Sequence, residues 1–349
     1  MDTPVLVSEP PVTSVIVPAR NEETCLGACL GSLVSQTGVS FEIIVVDDGS
    51  TDATRSIALA FPRVQVIEAA PLPPGWSGKN NALTTGARQA KGQWLLFTDA
   101  DTVHRPGSLG RAVAEAEERH ADLLSYSPEQ EVRGFWEKAI MPVIFADLAR
   151  TYRPSQVSDP RSPVAAANGQ YLLVSRKAYE AVGGHTAVAT SLLEDVDLAR
   201  AVKGSGRRIL FRLGGDAVRA RMYRSLSQLT EGWTKNLVLL FPHPGRLALL
   251  RFLEFALLIS GYGFALVALR NGGRLIGVLA ASGTSALLLL IFNRIRKAHF
   301  GWASNILALF GLPLFSYLLL RSKLFYKRGK VSWKGRTYAG DHAPAVPAS

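Results

Sequence analysis

Short apolar runs alternate with longer stretches of mixed polarity through the first hundred positions of the chain. Residues 14–18 (SVIVP), 41–46 (FEIIVV), 64–67 (VQVI) and 94–97 (WLLF) are β-branched or aromatic and are bounded by turn-forming residues. Each reads as a short strand. The intervening periodicity predicts helices over about 22–34, up to Ala60, and onward from Lys79, with a further helix over 109–119 and a strand over 122–125. Strand and helix alternating at this spacing predict an α/β domain whose mostly parallel, doubly wound sheet carries helices on both faces. Further on, 168–174 predicts another strand, 183–185 a turn and 194–200 the start of a helix.

The pattern changes beyond Asn236. Three apolar runs, over about 252–269, 275–292 and 303–320, approach the length that crosses the hydrocarbon of a bilayer. Arg251 and Glu254 stand at the edge of the first, where long side chains snorkel. Pro313 interrupts the third, which a membrane helix tolerates when its neighbours satisfy the freed backbone. The apolar, aromatic stretch 135–145 is too short to span and reads equally as an interfacial helix or a core helix. The chain thus divides into a short tail (1–12), a catalytic domain (13–236), a transmembrane helical region (237–330) and a tail that is basic and then disordered (331–349). Two or three spans are expected. Three full spans would carry the basic segment 321–336 to the outer side, against the positive-inside preference, unless one run is re-entrant or interfacial.

Charge sharpens this division. The 349 residues carry 39 Lys and Arg against 28 Asp and Glu, a net charge of +11, which points to an anionic partner. Beyond Asn236 the only acids are Glu254 and Asp341. The excess base therefore lies beside apolar runs and favours a membrane surface over nucleic acid, which is not expected as a partner. Cys25 and Cys29, the only cysteines, read as small core residues of a reducing compartment rather than a metal pair. No cleavable signal peptide is visible in the acidic, Pro-rich start, so the first domain is expected to face the cytosol from the cell membrane.

Candidate chemistry gathers at strand ends, where an open α/β sheet binds its ligands. The run 94–97 leads into Asp99-Ala100-Asp101. In an extended segment the two carboxylates share a side, and two hard oxygen donors suit Mg²⁺ or Mn²⁺. A plain turn or helix cap accounts for the same residues. Residues 18–22 and 47–52 form polar clusters at two more strand ends, and Lys79 can meet a diphosphate as a point charge. No glycine follows the first strand, which excludes a dinucleotide turn, and Gly78-Lys79 lacks the spacing of a Walker A loop. Glu194 and Asp195 either satisfy the start of a helix or supply a general base. His185 is open between a base and a hydrogen-bonding residue.

Val-Pro-Ala-Arg-Asn-Glu-Glu (17–23), Val-Asp-Asp-Gly-Ser-Thr-Asp (46–52), Gly-Lys-Asn-Asn-Ala-Leu (78–83) and Asp-Ala-Asp (99–101), in this order and spacing, resemble the family 2 glycosyltransferases. The resemblance covers about 14–101. It implies a GT-A fold and inverting transfer from a nucleotide-diphosphate sugar, most simply a UDP-sugar. It implies that Pro18, Ala19, Arg20 and Glu22 line the base and ribose, that Asp47 and Asp48 meet the base, and that Lys79 and Asn80 lie beside the nucleotide. Asp99 would contact the ribose and diphosphate and share a metal with Asp101. Asn168 and Gly169 would lie near acceptor and sugar. Asp195 would be the base, supported by Glu194, with Asp197 as second choice. Membrane-bound relatives carry a Gln/Arg-x-x-Arg-Trp string that closes over the diphosphate and acceptor; here Arg221 and Arg224 match in part, Ser225 replaces the Trp, and Trp233 is the nearest substitute. That departure favours a single transfer over processive polymer synthesis. The loop at 76–80, the Glu194-Asp195 pair, the C-terminal runs and the tail at 331–338 are most similar to bacterial enzymes that glycosylate carotenoid, hopanoid or ceramide-type lipids. A lipid hydroxyl is the implied acceptor. Polyprenyl phosphate or a polysaccharide is the alternative, and a nucleotide-sugar-binding membrane scaffold the non-enzymatic one.

Overall fold

Val15 and Val17 pack on one face of a sheet and Ile16 on the other, and Ile43 and Val45 alternate likewise with Ile44 and Val46. A strand buried on both faces needs apolar residues at successive positions, which is why these runs do not alternate with polar residues. The computed structural model describes residues 11–333 and 335–338. The chain forms two compact units, one made of residues up to Glu131 together with Tyr152–Arg221, the other of Val132–Thr151 together with residues from Met222 onward.

The first unit opens with β1 (Thr13–Ala19), α1 (Leu26–Val34), β2 (Phe41–Asp47), α2 (Thr54–Leu59), β3 (Val64–Glu68), α3 (Gly78–Gln89) and β4 (Trp94–Phe97). Then come β5 (Thr102–His104), α4 (Ser108–Glu118), β6 (Leu123–Ser127) and β7 (Glu129–Gln130). One helix of the second unit, α5 (Phe135–Thr151), interrupts before α6 (Pro154–Ser158), β8 (Leu172–Ser175), α7 (Arg176–Ala181), α8 (Gly184–Ala187), α9 (Glu194–Gly204), β9 (Ile209–Leu213) and β10 (Val218–Ala220). The main sheet has the order β3-β2-β1-β4-β8-β6-β9, with β8 antiparallel to both neighbours and every other pair parallel. A small sheet, β5-β10-β7, stands beside it. Because β1, β2 and β4 are parallel neighbours, with Ala19 beside Asp47 and Ile16 beside Phe97, their following loops leave the same edge. This is the GT-A-like arrangement expected from the alternation.

Three local expectations are corrected. The first helix starts at Leu26 rather than Glu22; residues 22–25 form a turn in which the Glu22 carbonyl accepts from the N–H groups of Cys25 and Leu26. The strand expected over 168–174 starts at Leu172, because Tyr171 N–H closes a turn on the Asn168 carbonyl. Asp99 and Asp101 lie on a turn rather than an extended segment: the Asp99 carbonyl accepts from both the N–H and the hydroxyl of Thr102.

The second unit contains α5, α10 (Leu226–Leu240), α11 (Pro244–Arg270), α12 (Arg274–Arg296), α13 (Trp302–Lys327) and the hairpin β11 (Val331–Trp333) with β12 (Arg336–Tyr338). Helix α5 belongs to the second compact unit and packs along α13, where Gly311 lets the helices approach so closely that a Cβ there would collide with the Ala139 carbonyl. Residues 139–144 are buried within the helical unit, with Phe135 and Trp136 left exposed. Helices α11, α12 and α13 are each long and apolar enough to cross a membrane, and α13 runs unbroken through Pro313. Arg251 does not snorkel. It is 1 % exposed, with Nε 2.8 Å from Asp147 Oδ2, and it also pairs with Glu254, which Arg294 meets in turn. Of the tail expected at 331–349, residues 334 and 339–349 lie outside the described residues.

Candidate active site

Ser77 caps α3, its Oγ accepting from Asn80 N–H at 3.1 Å, and so sets Lys79 in the first turn of that helix. Gly86, one helix face along, allows α3 to lie on β1, since a Cβ there would stand 2.5 Å from Ile16 Cγ2. Lys79 Nζ then sits 2.7 Å from Asp99 Oδ1, beyond β4, and 2.7 Å from Glu194 Oε1, at the start of α9. One ammonium thus joins two carboxylates that are 95 positions apart in sequence (194 − 99). Its neighbours Asp99, Glu194 and Asp195 hold the Lys79 pKa well above the usual lysine range against the opposing effect of burial.

Asp195 completes the cluster. Its Oδ2 accepts from Gly169 N–H at 2.7 Å and its Oδ1 from Val196 N–H at 2.8 Å. Burial first, and the Glu194 charge second, push its carboxyl up to about 7; Lys79 and the two N–H groups only partly offset them. A carboxylate poised near neutral pH suits a general base. A Cβ on Gly169 would stand 3.2 Å from Lys79 Nζ, so that the ammonium must give by a few tenths of an ångström, and in ordinary contact, at 3.5 Å, with both Asp195 Oδ2 and Glu194 Oε1. Gly169→Ala is therefore expected to lower turnover roughly tenfold, less than the about 10²-fold cost of an ångström of misplacement. Initial rates at saturating donor would show it, with an unchanged melting temperature.

The turn bearing Asp99 and Asp101 rests on a buried polar layer. Thr98 Oγ1 lies 3.1 Å and Thr102 Oγ1 3.2 Å from His104 Nε2. Burial pushes His104 down to about 3, so the ring is neutral. Gln170 Nε2 donates to Asp101 Oδ1 at 3.4 Å, and Arg221 N–H meets the Asp101 carbonyl at 3.4 Å. Gln170 and His104 were not anticipated. Sequence separation hides the first, 69 positions from Asp101, and an isolated histidine carries no signal of its layer. Asp99 and Asp101 are hard oxygen donors suited to Mg²⁺ or Mn²⁺. Among the described residues no group of three His, Cys, Asp or Glu could hold a metal, so water and diphosphate oxygens would complete the coordination.

The other predicted residues fall into place unevenly. Arg20 Nη1 donates to the Asp48 carbonyl at 2.6 Å, which ties the first two strand-end loops together, and Glu22 N–H meets Thr54 Oγ1. Asp47 Oδ1 accepts from Ser50 N–H, and Ala19 presents backbone, its carbonyl accepting from Asp48 N–H. Pro18, the penultimate residue of β1, pairs with Val46 beside them. Asn80 is wholly buried and its amide donates to the carbonyls of Val188, Ala189 and Ser191, bracing that loop. Asn168 Oδ1 accepts from Gln170 N–H. Asp197 bonds Ser191 and Arg200. His185 is buried, bonded to Tyr179 Oη and pushed down to about 4, which removes it as a base. Trp233, expected over the diphosphate, is 2 % exposed in the core of the helical unit among Phe145, Tyr223 and Phe315. Arg224 lies just ahead of α10 in the same unit, its N–H on Gln228 Oε1.

Residues 14–183 match the model of glycosyl transferase family 2. The chain is similar to the 4,4'-diaponeurosporenoate glycosyltransferase of Staphylococcus aureus strain MRSA252, with 28% identity over 340 residues covering 93% of this chain and 88% of that one. Among solved structures it resembles the mannosyltransferase PcManGT of Pyrobaculum calidifontis, in complex with GDP-Man and Mn²⁺, at a TM-score of 0.52 and 18% identity, over 91% of this chain and 87% of that one.

Proposed function

Residues 14–183 match the family 2 glycosyl transferase model, and from that premise we propose that the chain moves a sugar from a nucleotide-diphosphate donor to a hydroxyl of a membrane lipid, inverting the anomeric centre. The observation that carries the reading is Asp195, a carboxylate raised to about 7 beside the Lys79 bridge. Attack by a hydroxyl needs its proton removed as the oxygen reaches the anomeric carbon, and Asp195 takes it. Glu194 keeps Asp195 basic through its charge and anchors Lys79. Arg20, Glu22, Asp47 and Asp48 line the nucleoside end of the cleft.

Asp99 and Asp101 would hold the divalent cation, which when bound supplies positive charge for the departing diphosphate. Their chemistry fits: Asp99, Glu194 and Asp195 surround a single ammonium and Asp101 follows on the same turn as Asp99, so an anionic donor would be repelled without added positive charge. The mannosyltransferase that shares the fold has Mn²⁺ and GDP-Man bound, which supports a nucleotide-sugar donor in this cleft. A lipid acceptor is supported by the carotenoid relative and by the three membrane-length helices. In this reading the helices anchor the chain in the cell membrane with the catalytic unit on the cytosolic side, where nucleotide sugars are made.

Membranes containing the chain, given labelled UDP-glucose, UDP-galactose, UDP-N-acetylglucosamine or GDP-mannose in turn, are expected to consume one of them. Consumption stops with chelator and returns with Mn²⁺ or Mg²⁺. Binding of every donor without turnover would support the scaffold instead.

A further inference from the structure

The helical unit contains a cavity of about 490 Å³ between the start of α10, the end of α13 and β11. Leu226, Ser227, Glu231, Thr234, Arg321 and Phe325 line it. Arg321 stands one position beyond the apolar run 303–320, where a spanning helix reaches the headgroup layer. Its guanidinium lies over the Phe325 ring, 4.1 Å from the centroid, and Nε donates to Thr234 Oγ1 at 3.1 Å. Nη1 lies 3.4 Å from Tyr317 Oη. The fork is therefore held in place by a ring and two hydroxyls, yet among the described residues no carboxylate pairs with it. Glu231, on the same cavity, likewise has no ion pair among the described residues. Two opposite charges face one space without meeting each other.

That arrangement suits a ligand carrying both charges. The positive end of α10, whose first residues Leu226 and Ser227 line the cavity, adds to the Arg321 side. Leu226 and Phe325 supply an apolar rim beside the bilayer. We propose that the cavity binds the head of a zwitterionic phospholipid, with its phosphate on Arg321 and its ammonium toward Glu231. A primary ammonium donates hydrogen bonds to a carboxylate and a quaternary one does not, so phosphatidylethanolamine is the lipid selected over phosphatidylcholine. The site depends on membrane insertion. Lys323, Lys327, Arg328 and Lys330 lie outside the lining and attract anionic lipid without selectivity, so the readout is a difference between lipids.

The test uses the delipidated full chain in maltoside micelles, with phosphatidylethanolamine, phosphatidylcholine or phosphatidylglycerol added and bound lipid counted by mass spectrometry of the intact complex. Phosphatidylethanolamine is expected to bind about tenfold more tightly than phosphatidylcholine, the worth of one charge-assisted contact. Arg321→Gln weakens phosphatidylethanolamine and phosphatidylglycerol alike. Glu231→Gln weakens phosphatidylethanolamine and leaves phosphatidylglycerol equal or tighter, which no folding defect would produce. Three results would overturn the proposal: equal binding of phosphatidylethanolamine and phosphatidylcholine, loss of both lipids in Glu231→Gln, or displacement of the lipid by millimolar inorganic phosphate, which would assign the cavity to the free anion.

Discussion

Asp195→Asn is expected to lower glycosyl transfer by about 10²–10⁴-fold, the range for loss of a general base, with little change in the donor's KM. Asparagine keeps the shape and still accepts from the Gly169 or Val196 N–H through its carbonyl, so the donor cleft persists. Initial rates at saturating donor, together with a donor-binding measurement, separate the two effects. The wild-type pH profile carries the same information. Asp195 is raised from the ordinary carboxylate range to about 7, so its basic form is lost as pH falls through about 7. Turnover should be low at pH 6, half-maximal near 7 and full by 8, whereas an ordinary carboxylate base would remain active to about pH 4. A variant that retains full turnover would assign an acceptor whose oxygen is already ionised, a carboxylate or a phosphate, which needs no base.

Asp147→Ala is expected to destabilise the helical unit by about 3–5 kcal/mol, because it leaves Arg251 buried with one of its carboxylate partners gone. Asp147 is 3 % exposed and accepts from Arg251 through both oxygens, Nε to Oδ2 at 2.8 Å and Nη2 to Oδ1 at 2.9 Å. Glu254 is shared with Arg294 and compensates only in part. The double variant Asp147→Leu with Arg251→Met removes both charges and should recover most of the loss, since apolar replacement of a buried pair is often neutral. Thermal unfolding in detergent decides this. Equal melting temperatures for wild type and Asp147→Ala would show that the pair contributes nothing.

What could be read from the chain was chemistry that lies close together in sequence. Asp99 and Asp101 follow an apolar strand, Lys79 follows a capping serine, and Glu194-Asp195 opens a helix, so strand-end and helix-start rules placed all of them. The doubly wound sheet was legible for the same reason, since each strand is a contiguous run. Contacts across long separations were not legible. Gln170 reaches Asp101 from 69 positions away, and Arg251 reaches Asp147 from 104, so a pair bridging two helices looked like a snorkelling side chain at a membrane edge. Asn80 and Trp233 are of residue types that suit both a ligand and a core. Only tertiary packing reveals that one braces the 188–191 loop and the other fills the helical unit. The helix α5 has no periodic face to declare its partner: it is apolar almost all round, and its place with α13 follows from the gap left by Gly311.

Partition of label tests the central claim most directly. The purified chain in liposomes of bacterial lipid extract is supplied with the labelled donor it consumes and with Mn²⁺, and the products are divided between organic and aqueous phases. Label accumulating in the organic phase, in step with nucleoside diphosphate release, is the predicted result. Release of nucleoside diphosphate with all label in a water-soluble polymer or in free sugar would contradict transfer to a membrane lipid.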